Sequence, residues 1–246
     1  MSSLRDSRVF VITGAGISAE SGIPTFRGPG GYWRNLDPTK LATAAAFRAD
    51  PQLVWEWYRE RRQKIRLARP NAAHVAVAHL SAGARDFLLL TQNVDDLHAR
   101  AQWQGARLPP EKLVQIHGDI FETHCSRCDF SRREPDHDID PSGVPPCPQC
   151  HSPLRPGVVW FGETLPPLAV QRVDDFLRRG PCDLTLVIGT TALFGYIVQW
   201  AVTARGETGQ LIEINPEESA MSGCATGVIR EPAAVALPKF IAQFFK

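Results

Sequence analysis

Four cysteines in the middle of the chain have the spacing of a zinc site. They form two CxxC pairs, namely Cys125, Cys128, Cys147 and Cys150. Four thiolates complete a closed tetrahedral site that leaves no position for water, so we expect one structural Zn2+ per chain. His124 and His151 each adjoin a zinc cysteine and are alternative ligands, but we favour the set of four cysteines.

A glycine-rich segment near the N-terminus could hold a phosphate. Residues 9–12 form an apolar run typical of a strand, and residues 14–19 match the GxGxxA fingerprint of dinucleotide-binding folds, in which backbone amides hold pyrophosphate. A tight strand-to-helix turn also favours glycine without any ligand, and the acidic residue that dehydrogenases carry about twenty residues later is missing. Residues 24–31, rich in Gly, Pro and Arg, are either a loop that could close over a ligand or a plain surface connection.

Other polar residues follow apolar runs directly. Gln92, Asn93 and Asp95 come after one run, and His117 comes after another. Open α/β sheets bind ligands at the carboxyl ends of their strands, where a neutral imidazole can serve as a general base. The alternative role for Asp95 or Asp96 is the N-cap of the next helix.

A tyrosine and an arginine lie three residues apart in a helical pattern. Tyr58 and Arg61 would share one helix face, where a phenol and a guanidinium could grip a carboxylate together. The alternative is a packed tyrosine and a solvated arginine.

The elements that position these residues follow from apolar runs bounded by turn residues. The runs cover residues 8–12, 86–91, 112–116, 183–188 and 210–214. Their near-continuous Val, Ile and Leu content is typical of strands buried on both faces, so we predict an α/β fold with a parallel sheet. Two insertions interrupt it: one with helical patterns at residues 51–68 and 71–82, and one at residues 121–156 in which a metal must replace a core.

Composition narrows the classes of partner and compartment. The chain has 246 residues, 43% of them hydrophobic, and can bury a full core. A formal charge of +1 gives no field that would gather nucleic acid or a membrane surface, so we expect neither as a partner. Without a signal-like or membrane-spanning run, and with Cys182 and Cys224 apart from the paired cysteines, we expect a reducing, cytoplasmic location.

Several motifs in order resemble the sirtuin family of NAD-dependent protein deacylases. They are residues 14–27, Gln92 to Asp95, His117-Gly118, the two CxxC pairs, Phe161-Gly162-Glu163 and Gly189-Thr190-Thr191. The resemblance covers nearly the whole chain. It implies a Rossmann-like NAD-binding domain and a small domain made of a helical module and a zinc ribbon. The implied boundaries are 1–31, 83–120 and 157–246 for the NAD-binding domain, 32–82 for the helical module and 121–156 for the zinc ribbon.

The resemblance also implies a reaction between NAD+ and acyl-lysine in proteins or peptides. The acyl oxygen would attack the nicotinamide ribose as nicotinamide leaves, and His117 would then activate a ribose hydroxyl. The products would be free lysine, nicotinamide and O-acyl-ADP-ribose. A mono-ADP-ribosyltransferase using the same cleft, and a zinc-ribbon binding module, are the alternatives, and we expect a monomer.

Site residues carry over from the resemblance position by position. The implied catalytic residues are His117, Asn93 and Asp95. The implied NAD contacts are Gly14, Ala15, Gly16, Phe26, Arg27, Gln92, Asn93, Asp95, Gly189, Thr190, Thr191, Asn215 and Ala233. The implied substrate contacts are Tyr58, Arg61, Ala46, Val159, Trp160 and Phe161, with residues 159–162 as a strand that pairs with the peptide.

The chain departs from the family pattern at one nucleotide-binding segment and matches a subclass at the acyl site. Thr191 stands where the family usually has serine, and the unusual residues 192–196 follow it. The Tyr58-x-x-Arg61 pair, with Ala46 leaving room ahead of it, is similar to the sirtuin subclass that acts on succinyl-, malonyl- and glutaryl-lysine.

Overall fold

A parallel sheet builds the larger part of the fold. The computed structural model describes residues 3–25, 38–133 and 143–245, with the side chains of residues 38 and 39 excepted. The strands are β1 (Arg8–Thr13), β2 (Asp86–Thr91), β3 (Gln102–Trp103), β4 (Ala106–Arg107), β5 (Leu113–Gln115), β6 (Gly118–Cys125), β7 (Ser131–Arg133), β8 (Leu154–Val158), β9 (Leu184–Ile188), β10 (Gln210–Ile214) and β11 (Gly227–Ile229). Each strand predicted from an apolar run is present, as β1, β2, β5, β9 and β10, because these strands are buried between helices.

The sheet brings the ends of its central strands level. Six parallel strands lie in the order β11-β10-β9-β1-β2-β5. Thr13, the last residue of β1, is in register with the last residues of β2 and β9. Gly14, Gln92 and Gly189, which follow these three strands, therefore start from the same edge of the sheet.

Helices cover the sheet and fill the first insertion. They are α1 (Gly16–Ala19), α2 (Pro38–Leu41), α3 (Ala44–Ala49), α4 (Pro51–Leu67), α5 (Ala72–Gly83), α6 (Leu97–Arg100), α7 (Pro167–Arg178), α8 (Gly195–Arg205) and α9 (Ala233–Phe244). Both predicted helices begin at a polar cap: the Asp50 carboxylate accepts from the Leu53 amide at 2.9 Å, and Asn71 forms a capping box with His74. Among the described residues, no helix is both long and apolar enough to cross a lipid bilayer.

The two insertions pack as one body. An antiparallel sheet, β7-β6-β8, has Cys125 at the end of β6 and the other three cysteines in its connections, and it shares a hydrophobic core with α4. Trp55 on α4 donates its indole N–H to the Leu154 carbonyl at 2.8 Å, and Arg62 Nε donates to the Ile120 carbonyl at 2.6 Å. Since β6 and β8 run across the predicted boundaries at 120/121 and 156/157, the limits of the modules stay a prediction.

Candidate active site

The four cysteines predicted as zinc ligands lie together. Their Sγ atoms are all within 4.8 Å of one another, with Cys125 and Cys150 at 3.4 Å and Cys128 and Cys147 at 3.6 Å. Zn–S bonds of about 2.3 Å in a tetrahedron place sulfur atoms about 3.8 Å apart, so this donor set fits zinc. Backbone amides two residues after Cys125 and Cys147 donate to their sulfurs at 3.3 and 3.4 Å, which favours thiolates. Within the described residues, neither neighbouring histidine joins the cluster.

The glycine-rich turn after β1 packs against the turn after β9. The Gly14 amide donates to the Ile188 carbonyl at 3.0 Å, and the Gly16 amide donates to the Gly189 carbonyl at 2.8 Å. A Cβ at Gly16 would lie 2.7 Å from the Gly189 Cα, and Gly189 itself has φ of +59°. The glycines thus bring two backbones together at the sheet edge, where Ala15 stands as the N-cap of α1. This close backbone edge, which a side chain would fill, is what a dinucleotide phosphate requires.

Ser18 links the predicted asparagine and aspartate. Asn93 Nδ2 donates to Ser18 Oγ at 3.1 Å, and Ser18 Oγ donates to Asp95 Oδ2 at 3.0 Å. Burial raises the pKa of Asp95 to about 6, although hydrogen bonds from the Leu97 amide and Ser18 act to lower it. Asp95 also accepts from the amide of Leu97, the first residue of α6, at 3.1 Å, whereas the N-cap position itself is held by Asp96 without a side-chain cap bond. Ser18 had no predicted role, and its place in the glycine-rich segment was the only signal for it.

A second chain of hydrogen bonds joins the ends of β2, β9 and β10. Gln92 Nε2 donates to Thr190 Oγ1 at 2.9 Å, and Asn215 Nδ2 donates to the Thr190 carbonyl at 3.1 Å. Thr191 is exposed beside them, and Ala233 is the buried first residue of α9. Most of the residues predicted to contact NAD that the structure describes thus meet at this one edge.

His117 lies at the same edge with both ring nitrogens engaged. Its Nδ1 is 3.0 Å from the Gln92 carbonyl oxygen, and its Nε2 is 2.8 Å from the Tyr196 hydroxyl. Burial lowers the pKa of His117, with the Gln92 carbonyl acting in the opposite direction. The ring is therefore a neutral imidazole near physiological pH, as a general base must be. Tyr196 lies in residues 192–196, the segment that departs from the family pattern, and had no predicted role.

The predicted clamp is buried rather than solvated. Tyr58 and Arg61 are 1% and 4% exposed, and the Arg61 guanidinium lies 4.6 Å from the Trp57 ring centre. Burial lowers the pKa of Arg61, while the charges of Tyr58 and Asp95 act to raise it. The solvated alternative for Arg61 is wrong, because the whole side chain lies in the core of the small body.

The segment predicted to bind the peptide touches both the clamp and the base. Trp160 Nε1 donates to the Tyr58 hydroxyl at 3.0 Å, and the Val159 amide donates to the His117 carbonyl at 2.9 Å. Because β8 ends at Val158, residues 159–162 form no strand within the fold itself, and their pairing with a peptide stays a prediction. The Trp160 amide donates to the Glu163 carboxylate at 2.8 Å, and the Phe161 amide donates to the carbonyl of Ala42, the residue after α2, at 2.9 Å.

Three further predicted site residues are Ala46, Phe26 and Arg27. Ala46 lies half-buried on α3, packed against the core that contains the clamp. Phe26 and Arg27 lie outside the described residues.

Comparisons with known proteins agree with this geometry. The model of the Sir2 family matches residues 14–194. An NAD-dependent protein deacylase from Ralstonia nicotianae is 42% identical over 241 residues, which cover 96% of this chain and 91% of the relative.

Solved structures give the same answer for the fold. A Sir2 homologue in complex with NAD is 37% identical, with a TM-score of 0.86, and covers 98% of this chain and 91% of that chain. A mutant Sir2 homologue in complex with 2′-O-acetyl ADP ribose is 37% identical, with a TM-score of 0.87 and coverage of 98% and 92%. Because the family model matches most of this chain and the deacylase relative is 42% identical over nearly all of it, the chain belongs to the Sir2 family of enzymes.

Proposed function

We propose that this Sir2 family enzyme is an NAD-dependent protein deacylase that accepts succinyl- and malonyl-lysine as well as acetyl-lysine. The products would be free lysine, nicotinamide and O-acyl-ADP-ribose. The NAD-bound homologue and the homologue bound to 2′-O-acetyl ADP ribose support the co-substrate and the product class. Four clustered cysteines would hold a zinc ion with a purely structural role.

The observation that carries the acyl preference is the buried Tyr58 and Arg61 pair. A guanidinium removed from water is destabilised, and a carboxylate that reaches it relieves that penalty through charge-assisted hydrogen bonds. The Tyr58 hydroxyl accepts a hydrogen bond from Trp160, and the amide of the neighbouring Val159 donates to the His117 carbonyl. The clamp and the base therefore contact adjacent residues of one short segment. An acyl chain that ends in a carboxylate can span such a path, with Ala46 leaving space.

The test compares two acyl groups on one peptide. Arg61→Met keeps the apolar length of the side chain but removes its charge, and Tyr58→Phe removes one hydroxyl. We expect each to lower kcat/KM for the succinyl peptide by about 10- to 100-fold, the value of one lost charge-assisted bond, and to change that for the acetyl peptide by less than about threefold.

Lys64→Met is the matched control for the clamp. It removes a cation from the exposed side of the same helix, where Lys64 lies 3.8 Å from Glu60, and should leave both kinetic constants unchanged. An equal loss for both peptides in Arg61→Met would refute the clamp. Mass spectrometry of the nucleotide product separates deacylation from ADP-ribosyl transfer, because only the former yields an acylated ADP-ribose.

We also propose a monomeric, cytoplasmic protein that binds neither nucleic acid nor membrane. The near-neutral formal charge supports the proposal that the protein binds neither nucleic acid nor membrane. Its six cysteines, none of them in a disulfide, support a reducing compartment.

A further inference from the structure

His117, the proposed general base, has a hydrogen-bond partner in residues 192–196, the segment that departs from the family pattern. Tyr196 belongs to α8, in the stretch where this chain leaves the pattern of its family, and its hydroxyl lies 2.8 Å from His117 Nε2. On the other side of the ring, Nδ1 lies 3.0 Å from the Gln92 carbonyl oxygen.

These two contacts fix which atom holds the proton. A carbonyl oxygen only accepts, so in the neutral ring Nδ1 carries the hydrogen and donates it to Gln92. Nε2 then has the lone pair, and the Tyr196 hydroxyl donates to it. The one lone pair with which His117 could take up a proton is therefore already paired with Tyr196.

Aromatic contacts hold the Tyr196 ring in place. It stacks on Phe194 with centres 5.5 Å apart and meets the edge of Trp200 at 5.2 Å. Trp200 is itself anchored, since its indole N–H donates to Asp174 at 3.1 Å. Phe194 also meets the His117 ring edge-on at 5.7 Å. A ring with these neighbours does not leave Nε2 without breaking the packing at the start of α8.

We propose that Tyr196 is a further catalytic residue, which relays the proton of the reacting ribose hydroxyl of NAD to His117. This inference rests on the proposed deacylase function. The O–H bond of the ribose breaks as a new O–H bond forms on Tyr196, and the original Tyr196 O–H bond breaks as an N–H bond forms on Nε2. Tyr196 ends with one proton, His117 becomes the imidazolium, and the ribose oxygen keeps its electron pair for the acyl carbon.

The phenol is suited to pass a proton without keeping a charge. Burial raises the pKa of Tyr196 to about 12, so a free phenolate is disfavoured and the two transfers must be concerted.

The first test needs no NAD. Nitrogen-15 NMR of the imidazole in the NAD-free protein should show a protonated Nδ1 and an Nε2 that accepts a hydrogen bond. In Tyr196→Phe the Nε2 resonance should move towards the value of a nitrogen without a donor. An Nε2 resonance that does not move would overturn the relay, because no such bond would exist.

The second test separates two steps of a single turnover. In the proposed reaction nicotinamide release precedes the base-dependent step, so Tyr196→Phe should release nicotinamide at the wild-type rate and form free lysine about 100-fold more slowly, and we expect the same of His117→Ala. A loss in both steps would show a merely structural role and overturn the relay. Lysine formation at the wild-type rate would overturn the relay as well. Faster lysine formation would also overturn it, because Tyr196 would then be an obstacle to the ribose.

A variant that keeps the ring and the hydroxyl covers the case in which Tyr196→Phe is unstable. Site-specific difluorotyrosine at residue 196 lowers the pKa of the phenol, and the relay predicts a changed rate of lysine formation; an unchanged rate contradicts it. These outcomes differ from failure of the proposed function, in which the wild-type protein itself consumes no acyl peptide.

Discussion

At the scale of single residues, His117 is held neutral by its surroundings. Burial disfavours the imidazolium, and among the described residues its side-chain contacts are the Gln92 carbonyl, the Tyr196 hydroxyl and the Phe194 ring, none of them charged. Asp95, the acid at the same edge, bonds to Ser18 and Leu97 instead. The base is thus available without help from a carboxylate.

This environment predicts the titration of His117. Its NMR titration in the NAD-free protein should have a midpoint below the ordinary histidine value of about 6.5, and the acid limb of lysine formation should follow it. The midpoint is lowered because burial removes water from the imidazolium and so destabilises the charged form relative to the neutral ring. A midpoint at or above the ordinary value would contradict the assignment of a buried neutral base.

Residues with a motif could be predicted from the sequence, and residues with only a spatial role could not. Gln92, Asn93 and His117 stand directly after apolar runs, so the end of a strand places them. Ser18 and Tyr196 reach their partners across 77 and 79 residues of chain, and nothing local in a serine or tyrosine on a helix records such a contact.

At the scale of elements, the zinc module and α4 depend on one another. Trp55 and Arg62 bond to carbonyls of β8 and β6, so a change in the cysteine sheet reaches the helix that carries Tyr58 and Arg61. The buried strands were predictable because both of their faces are apolar. Strand β11 was missed because it is three residues long with Val228 exposed.

Loss of one zinc ligand should therefore lower stability and activity together. We expect Cys147→Ser to lose bound zinc, to unfold at a lower temperature and to lose deacylation of both peptides, because the metal would join the two CxxC segments. Zinc content, the thermal midpoint and kcat/KM measure this. Cys224→Ser, outside the cluster, is the control and should keep its zinc; a fully active and normally stable Cys147→Ser would contradict the prediction.

At the scale of the whole molecule, buried histidines set the response to acid. Burial lowers the pKa of His74 to about 3 and that of His98 well below its ordinary value, so both stay neutral in the folded protein while the unfolded chain takes up protons below about pH 6.5. Asp95 acts in the opposite sense, because its raised pKa lets the folded state bind a proton first, near pH 6.

The histidines outweigh the aspartate, so stability should fall with acid. From about pH 7 to about pH 5 we expect the free energy of unfolding to drop by about 1 kcal/mol or more: about 2 kcal/mol is lost at His74, a further amount is lost at His98, and about 1 kcal/mol is regained at Asp95. Urea unfolding at the two pH values measures this difference. A free energy that is constant or rises on acidification would show that these histidines are protonated in the folded state.

The contact between the turns after β1 and β9 also limits how this enzyme can change. A Cβ at Gly16 meets the backbone of Gly189, and a Cβ at Gly189 comes within 2.5 Å of the Ile17 nitrogen. In each case the obstacle is main chain, which no second substitution can shrink. Neither glycine can be replaced, and no substitution elsewhere can restore the contact. Saturation libraries, and lineages that diverge in acyl preference, must therefore keep both glycines while residues of the two packed insertions change.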